Sequence, residues 1–145
     1  MSHETAALRR PLVLVVDDYF EAREICSEYL GFHGYGVVTA EDGAEALEKA
    51  FALIPDVILM DLSLPALNGW AATQRLKTDA RTRDIPSVAL TGHALAADRE
   101  RALAAGCDDV LTKPCVPRDL LAEVRRQLAR REAAGNDRLR DEGAP

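Results

Sequence analysis

Asp17 and Asp18 stand directly after the aliphatic run Leu12–Val16, and Asp61 directly after Val57–Met60. Thr91 ends the run Ile85–Thr91, and Lys113 with Pro114 follows Asp109–Thr112. Aspartate is common in turns and at helix starts, where its side chain holds backbone amides. That role suffices for Asp42 and Asp84. It accounts poorly for Asp17, Asp18 and Asp61 brought to one place, because grouped carboxylates repel one another unless a cation sits among them. A hard ion held by one or two carboxylates plus waters is Mg²⁺. Lys113 adds positive charge on the opposite side, and Thr91 supplies a hydroxyl donor. Such a set suits a phosphoryl group, whose oxygens need neutralising from both sides, better than the hydrolysis of peptides or sugars. No Gly-rich phosphate loop is present, so the expected acceptor is a side chain, and an aspartate can form an acyl phosphate.

These groups meet only if the runs that precede them are strands of one parallel sheet. Leu12–Val16 is continuously apolar, as a strand buried on both faces should be. Ala22, Ile25, Cys26, Tyr29 and Leu30 recur with helical spacing and predict one buried face, with a left-handed stop at Gly34. Tyr35–Ala40 reads as a second strand. Asp42 with Glu45 resembles a capping box for a helix running to about Leu53. Val57–Met60 is the third strand, and Pro65, Asn68 and Gly69 mark a loop before a helix whose inner face carries Trp70, Thr73 and Leu76. Ile85–Thr91 is the fourth strand, with Pro86 at its start. Ala94–Ala105 is a helix ending at Gly106, and Asp109–Thr112 a short fifth strand. Pro117 opens a last helix, Arg118 to about Arg131, with Leu120, Leu121, Val124 and Leu128 inward. From Gly135 onward a frayed tail is expected. Five β-α units of this kind predict a parallel sheet with helices on both faces, and function at the carboxyl ends of its strands.

The 145 residues are 48% apolar and 29% charged, which excludes disordered, collagen-like and coiled-coil chains. No apolar run approaches the roughly twenty residues that span a bilayer, and Met1–Arg10 has no apolar core of a secretory signal. Cys26, Cys107 and Cys115 form no metal-type pair and no disulfide framework, which suits a cytoplasmic protein with reduced thiols. The net charge is −6; residues 1–117 hold 11 basic and 18 acidic side chains, and residues 118–145 hold 7 and 6. That balance argues against a nucleic-acid surface and reads the arginines near the end as a solvated helix face.

The motifs Leu14-Val15-Val16-Asp17-Asp18, Asp56 through Leu62, Pro65 with Asn68-Gly69, Val88 through Thr91, and Gly106 through Pro114 occur in this order. Together they resemble the receiver domain of the bacterial two-component response-regulator family, over residues 11–131. The resemblance implies an α/β, doubly wound (βα)5, flavodoxin-like sandwich with a parallel five-stranded sheet of order 2-1-3-4-5. Residues 1–10 would then be an amino-terminal extension and 132–145 a flexible carboxy-terminal tail. Asp61 is implied to be the phosphorylation site. Asp18, Asp61 and the backbone carbonyl of Ser63 are implied Mg²⁺ ligands, with Asp17 acting on the ion through water. Lys113 is implied to pair with Asp61 and later with phosphoryl oxygens, Thr91 to sense the phosphoryl group, and the Lys113–Pro114 bond to be cis.

Receivers of this family take a phosphoryl group from a phosphohistidine on a sensor histidine kinase or a histidine phosphotransfer protein. They catalyse the transfer and the later hydrolysis themselves, as signalling modules rather than conventional enzymes. The donor is expected to dock near Tyr19, Phe20, Arg23 and the Cys115–Pro117 loop. Few residues follow the last expected helix, so output is expected through contact with an unknown downstream protein or through phosphate shuttling, without direct DNA binding or membrane insertion. Two other readings compete. A haloacid-dehalogenase-type phosphatase would need a second acid two residues after its nucleophile, where Ser63 stands. A docking-only pseudo-receiver would have lost an acid or the lysine, and all are present.

Three positions depart from the family pattern: Tyr19 after the acidic pair, Val116 where a helix-capping residue is common, and Val110 where a switch aromatic usually stands. Cys26 reads as core and Cys115 as a packed small side chain beside the pocket, though a redox-sensitive thiol there is an open alternative. Trp70 reads as core, and His93 either touches the phosphorylated site or is merely exposed.

Overall fold

The computed structural model describes residues 10–62, 69–92 and 96–143, with side chains of residue 96 and of 136–143 left aside. In chain order the elements are β1 (Leu12–Val16), α1 (Phe20–Phe32), β2 (Gly36–Ala40), α2 (Gly43–Leu53) and β3 (Val57–Asp61). They continue with α3 (Gly69–Thr78), β4 (Ser87–Thr91), α4 (Ala96–Ala104), β5 (Asp109–Thr112) and α5 (Pro117–Gly143). All strand pairs are parallel and the sheet order is β2-β1-β3-β4-β5. This is the doubly wound, flavodoxin-like fold that the resemblance implied.

Because side chains of a strand alternate between faces, the same aliphatic runs feed two cores. Leu14, Val16, Ile58 and Met60 pack with Ala46, Leu47 and Ala50 of α2 and with Ala72 and Leu76 of α3. Val13, Val15, Val57, Leu59, Val88 and Leu90 pack on the opposite face with Leu30 of α1 and Leu120, Leu121 and Val124 of α5. The shared register, with Val13 beside both Val37 and Val57 and with Leu59 beside Val88, brings the carboxyl ends of β1, β3 and β4 level. The residues that follow them therefore emerge along one edge.

Local chemistry sets the helix ends. Asp42 Oδ1 accepts from the Glu45 amide at 2.8 Å, the expected cap of α2, and Glu45 reaches back to the Glu41 amide at 3.3 Å. Gly34 has φ of 96°, the left-handed stop foreseen after α1.

Three readings are corrected. Ile25 is exposed, so the buried stripe of α1 runs along Cys26, Tyr29 and Leu30 and is narrower than helical spacing alone suggested. β4 begins at Ser87, one residue past Pro86, which has no N–H to give the sheet. The last helix does not end near Arg131, and the stretch 132–145, read as a tail, is helical as far as Gly143. Glu132, Ala133, Ala134, Arg138, Leu139 and Arg140 favour helix, and a single interior glycine costs only about 1 kcal/mol, too little to stop it. Among the described residues no helix is long and apolar enough to cross a membrane.

Candidate functional site

Each strand end delivers its residue to the same place. The amide of Asp17 donates to the Ala40 carbonyl at 3.1 Å, extending the β1–β2 pairing by one residue. The Leu62 amide donates to Leu90 at 3.0 Å and the Lys113 amide to Thr91 at 2.7 Å, so β3, β4 and β5 stay paired up to the edge. There, one carboxylate oxygen from each of Asp17, Asp18 and Asp61 lies within 4.8 Å of the other two. Asp17 and Asp61 are buried and Asp18 is exposed, so the cluster reaches solvent at Asp18.

Lys113 closes the other side. Its Nζ donates to Asp17 Oδ2 at 3.0 Å and to Asp61 Oδ2 at 2.9 Å. Burial by itself would lower the lysine pKa, but the hydrogen bonds and charges of Asp61 and Asp17 outweigh it and hold the ammonium above its usual range. Thr91 is buried at the end of β4, beside Thr112 in register and one residue past the partner of Asp61. Lys113–Pro114 is cis. Asp17 and Asp18 after β1, Asp61 of β3, Thr91 of β4 and Lys113 after β5 are thus assembled at one edge. Ser63, whose carbonyl was an implied ligand, and His93 lie outside the described residues.

Two contributors were not foreseen in their roles. Arg23 donates from Nη1 to the Asp17 backbone carbonyl at 2.7 Å and lies 3.8 Å from Glu41, while Tyr19 N donates to Asp17 Oδ1 at 2.9 Å. Asp17 is therefore gripped at both its carbonyl and its carboxylate. A cation in the first turn of a helix opposes the helix dipole, and this was the available hint that Arg23 has a specific local acceptor.

Gly69 is the other. A Cβ built there would lie 2.3 Å from the Asp61 carbonyl oxygen and 2.8 Å from Leu62 Cα, both backbone atoms. The start of α3 thus presses directly on the residue at the centre of the cluster, and only glycine permits that approach. Gly69→Ala is expected to lower unfolding free energy by about 1–3 kcal/mol, the usual cost of overpacking, and to displace Asp61. Denaturant melts and the metal affinity of the purified variant would check both, and an unchanged midpoint would refute the close packing.

What the arrangement can do follows from its charges. Among the described residues the cluster sets three carboxylates against one ammonium, an excess of negative charge fit for a hard divalent cation. All three side-chain donors are oxygens, which suits Mg²⁺ and excludes a soft thiolate-type site.

Comparison with known proteins is consistent with this geometry. Residues 13–125 match the family described as the response regulator receiver domain. The chain is 39% identical over 120 residues to the DNA-binding dual master transcriptional regulator RpaA of Synechocystis sp., an alignment covering 83% of this chain and 50% of that protein. It spans about half the length of the curated relatives it matches. Among solved structures it resembles the chemotaxis response regulator CheY4 of Vibrio cholerae, with TM-score 0.79, 32% identity, and coverage of 83% of this chain and 100% of that one. It also resembles the receiver domain of the sensor histidine kinase PA1611 from Pseudomonas aeruginosa, a structure with a magnesium ion in its active-site cleft. That likeness has TM-score 0.77 and 34% identity, covering 83% of this chain and 99% of that one.

Proposed function

The chain belongs to the response regulator receiver domain family of two-component signalling, and from that premise we propose that Asp61 accepts a phosphoryl group from a phosphohistidine protein. The observation that carries this is the single ammonium of Lys113 bridging the buried carboxylates of Asp17 and Asp61 at 3.0 and 2.9 Å. Asp18, Asp61 and the Ser63 carbonyl would hold Mg²⁺, with Asp17 acting on it through water, as the oxygen-only donor set and its excess charge favour. The ion supplies charge neutralisation and polarises a phosphoryl oxygen.

In the transfer, a carboxylate oxygen of Asp61 bonds to phosphorus while the phosphorus–nitrogen bond breaks and its electron pair stays on the imidazole. Lys113 holds the Asp61 carboxylate in place beforehand and then donates to a phosphoryl oxygen. Thr91 donates its hydroxyl to another. Burial of Asp61, 1% exposed, keeps its position fixed and limits the approach of water to the acyl phosphate. A sensor histidine kinase or histidine phosphotransfer protein is the expected donor. Tyr19 and Phe20, 61% and 63% exposed, and half-exposed Val116 of the β5–α5 segment offer apolar surface for it. Mass spectrometry after incubation with a phosphorylated histidine protein tests the reading. A stable single adduct on Asp61 supports it, whereas steady release of phosphate with no adduct would favour the aspartyl phosphatase instead.

Val110 shapes what phosphorylation can change. It is 7% exposed and packs with Leu62, Ala89, Ala102 and Cys107, and its carbonyl accepts from Arg99 at 3.3 Å. A valine is stiff about χ1 and has no ring to exchange between a buried and an exposed position. Phosphorylation is therefore expected to move backbone amide resonances strongly from Thr91 to Ala96, and little at Val110 and along α5. NMR spectra with and without a phosphoryl mimic, omitting neighbours of Lys113, would check it. Equal shifts along α5 would refute it.

A further inference from the structure

Beside the phosphoryl-accepting cluster, on the α1 side, lies a cavity of about 450 Å³ whose walls are mostly apolar. Ala22 and Cys26 of α1, Leu90 of β4, Leu120 of α5 and Cys115 of the β5–α5 loop line it, with Lys113 at one end. Two of the three thiols in the chain thus face one space although they stand 89 positions apart. Both are partly buried and both pack against the same core. Cys107, by contrast, is buried on the opposite face with Ala89, Ala102 and Val110. Nothing in the proposed phosphoryl transfer uses either thiol.

We propose that Cys26 and Cys115 form a two-electron redox site, in which a peroxide joins them as a disulfide across this cavity. The open volume gives both side chains room to turn. Cys115 sits in the short segment between β5 and α5, outside any helix or strand. In the reaction the Cys115 thiolate attacks a peroxide oxygen, the O–O bond breaks, and the departing hydroxide takes up a proton. The resulting sulfenic acid is attacked by the Cys26 sulfur; the S–O bond breaks, and the hydroxyl leaves as water with the Cys26 proton. Two thiols lose two electrons and two protons, and hydrogen peroxide becomes two waters.

The surroundings set the pace. Burial, then Asp17 and Cys115, push the Cys26 thiol up to about 11, with Lys113 opposing; burial, then Asp119 and Glu123, raise Cys115. Both thiols are therefore protonated at neutral pH, so the pair responds to sustained peroxide rather than to a brief pulse. The disulfide would tie α1, whose start carries the exposed Phe20 next to Tyr19, to the loop that carries Lys113. This consequence, though not the site itself, rests on the proposed phosphoryl transfer. The link should slow transfer from a phosphohistidine protein by on the order of tenfold, since small misplacements of reacting groups cost at least that.

The test treats the full chain with hydrogen peroxide and reads intact mass and peptide maps under denaturing conditions. Loss of two hydrogens, with one peptide containing Cys26 joined to one containing Cys115 and reversal by dithiothreitol, is the expected result. Cys26→Ala and Cys115→Ser should each abolish the link, and the second replaces a partly exposed loop residue should the first not fold. Covalent dimers, a link through Cys107, or oxygen added to Cys115 while Cys26 stays alkylatable would overturn the proposal. The mass readout needs no phosphoryl donor, so link formation supports the site even in a chain that takes up no phosphate.

Discussion

Asp61→Asn and Asp61→Ala should gain no phosphoryl mass on incubation with acetyl phosphate and Mg²⁺, under conditions in which the unaltered chain gains one group. The effect is all-or-none because no other described carboxylate shares the environment of Asp61. Asp17 shares its burial but stands after β1, with its backbone carbonyl held by Arg23, and Asp18 is exposed. Removing the divalent ion should matter almost as much. Three carboxylates within 4.8 Å, offset by one ammonium, repel an approaching phosphoryl anion, and a bound cation removes that barrier. With excess chelator the adduct should fall to a trace. An adduct on Asp61→Ala would move the acceptor elsewhere, and an undiminished adduct in chelator would remove the metal from the scheme.

Lys113→Met is expected to slow phosphorylation by about 10²–10³-fold, the usual effect of deleting one donor aimed at developing charge. It should also loosen the fold when no metal is present, because Asp17 and Asp61 would keep their burial and lose their shared cation. Breaking a fully buried pair costs about 3–5 kcal/mol. The Lys113 side chain is 33% exposed, and water screening brings the expected cost to about 1–3 kcal/mol. The two effects separate on adding Mg²⁺, which should recover stability through the carboxylates but not the rate. Lys113→Met chains that are phosphorylated within a few-fold of the parent rate would refute the role of the ammonium.

The site was legible because its residues sit at strand ends, where a buried aliphatic run makes position unambiguous. Leu12–Val16 can only be a central strand, so Asp17 had to emerge at its end, and the same holds for Asp61 after Val57–Met60. Asp42 with Glu45 was legible because a capping box is local chemistry. What escaped depends on packing between segments distant in the chain. Ile25 and Cys26 both fit a helical face, and which is buried depends on how α1 tilts against α5 and the sheet. Gly69 looked like loop punctuation, since its contact with the Asp61 carbonyl exists only once α3 is docked. Lys77, which donates to the carbonyls of Arg83 and Ile85 and to Asp108, ties α3 to the segments before β4 and β5. An exposed-looking lysine gives no sign of that in the sequence. The length of α5 was missed for a different reason. Gly135, Asn136 and Asp137 are each weak helix formers, yet a helix already nucleated by its packed first turns passes through them.

β5 is the outermost strand of the sheet, and an outermost strand offers unpaired backbone groups on which a foreign strand can align. Here α4 sends Arg99 to the Val110 carbonyl, and Asp109 is ion-paired with both Arg99 and Arg126. A strand arriving from a neighbouring molecule would have to evict a guanidinium and break charged pairs before its first ladder bond could form. With only four residues, β5 offers few such bonds in return. Growth of the sheet into a fibril is thus obstructed on this side by two arginines, a protection against aggregation that leaves the helical faces open for specific contacts.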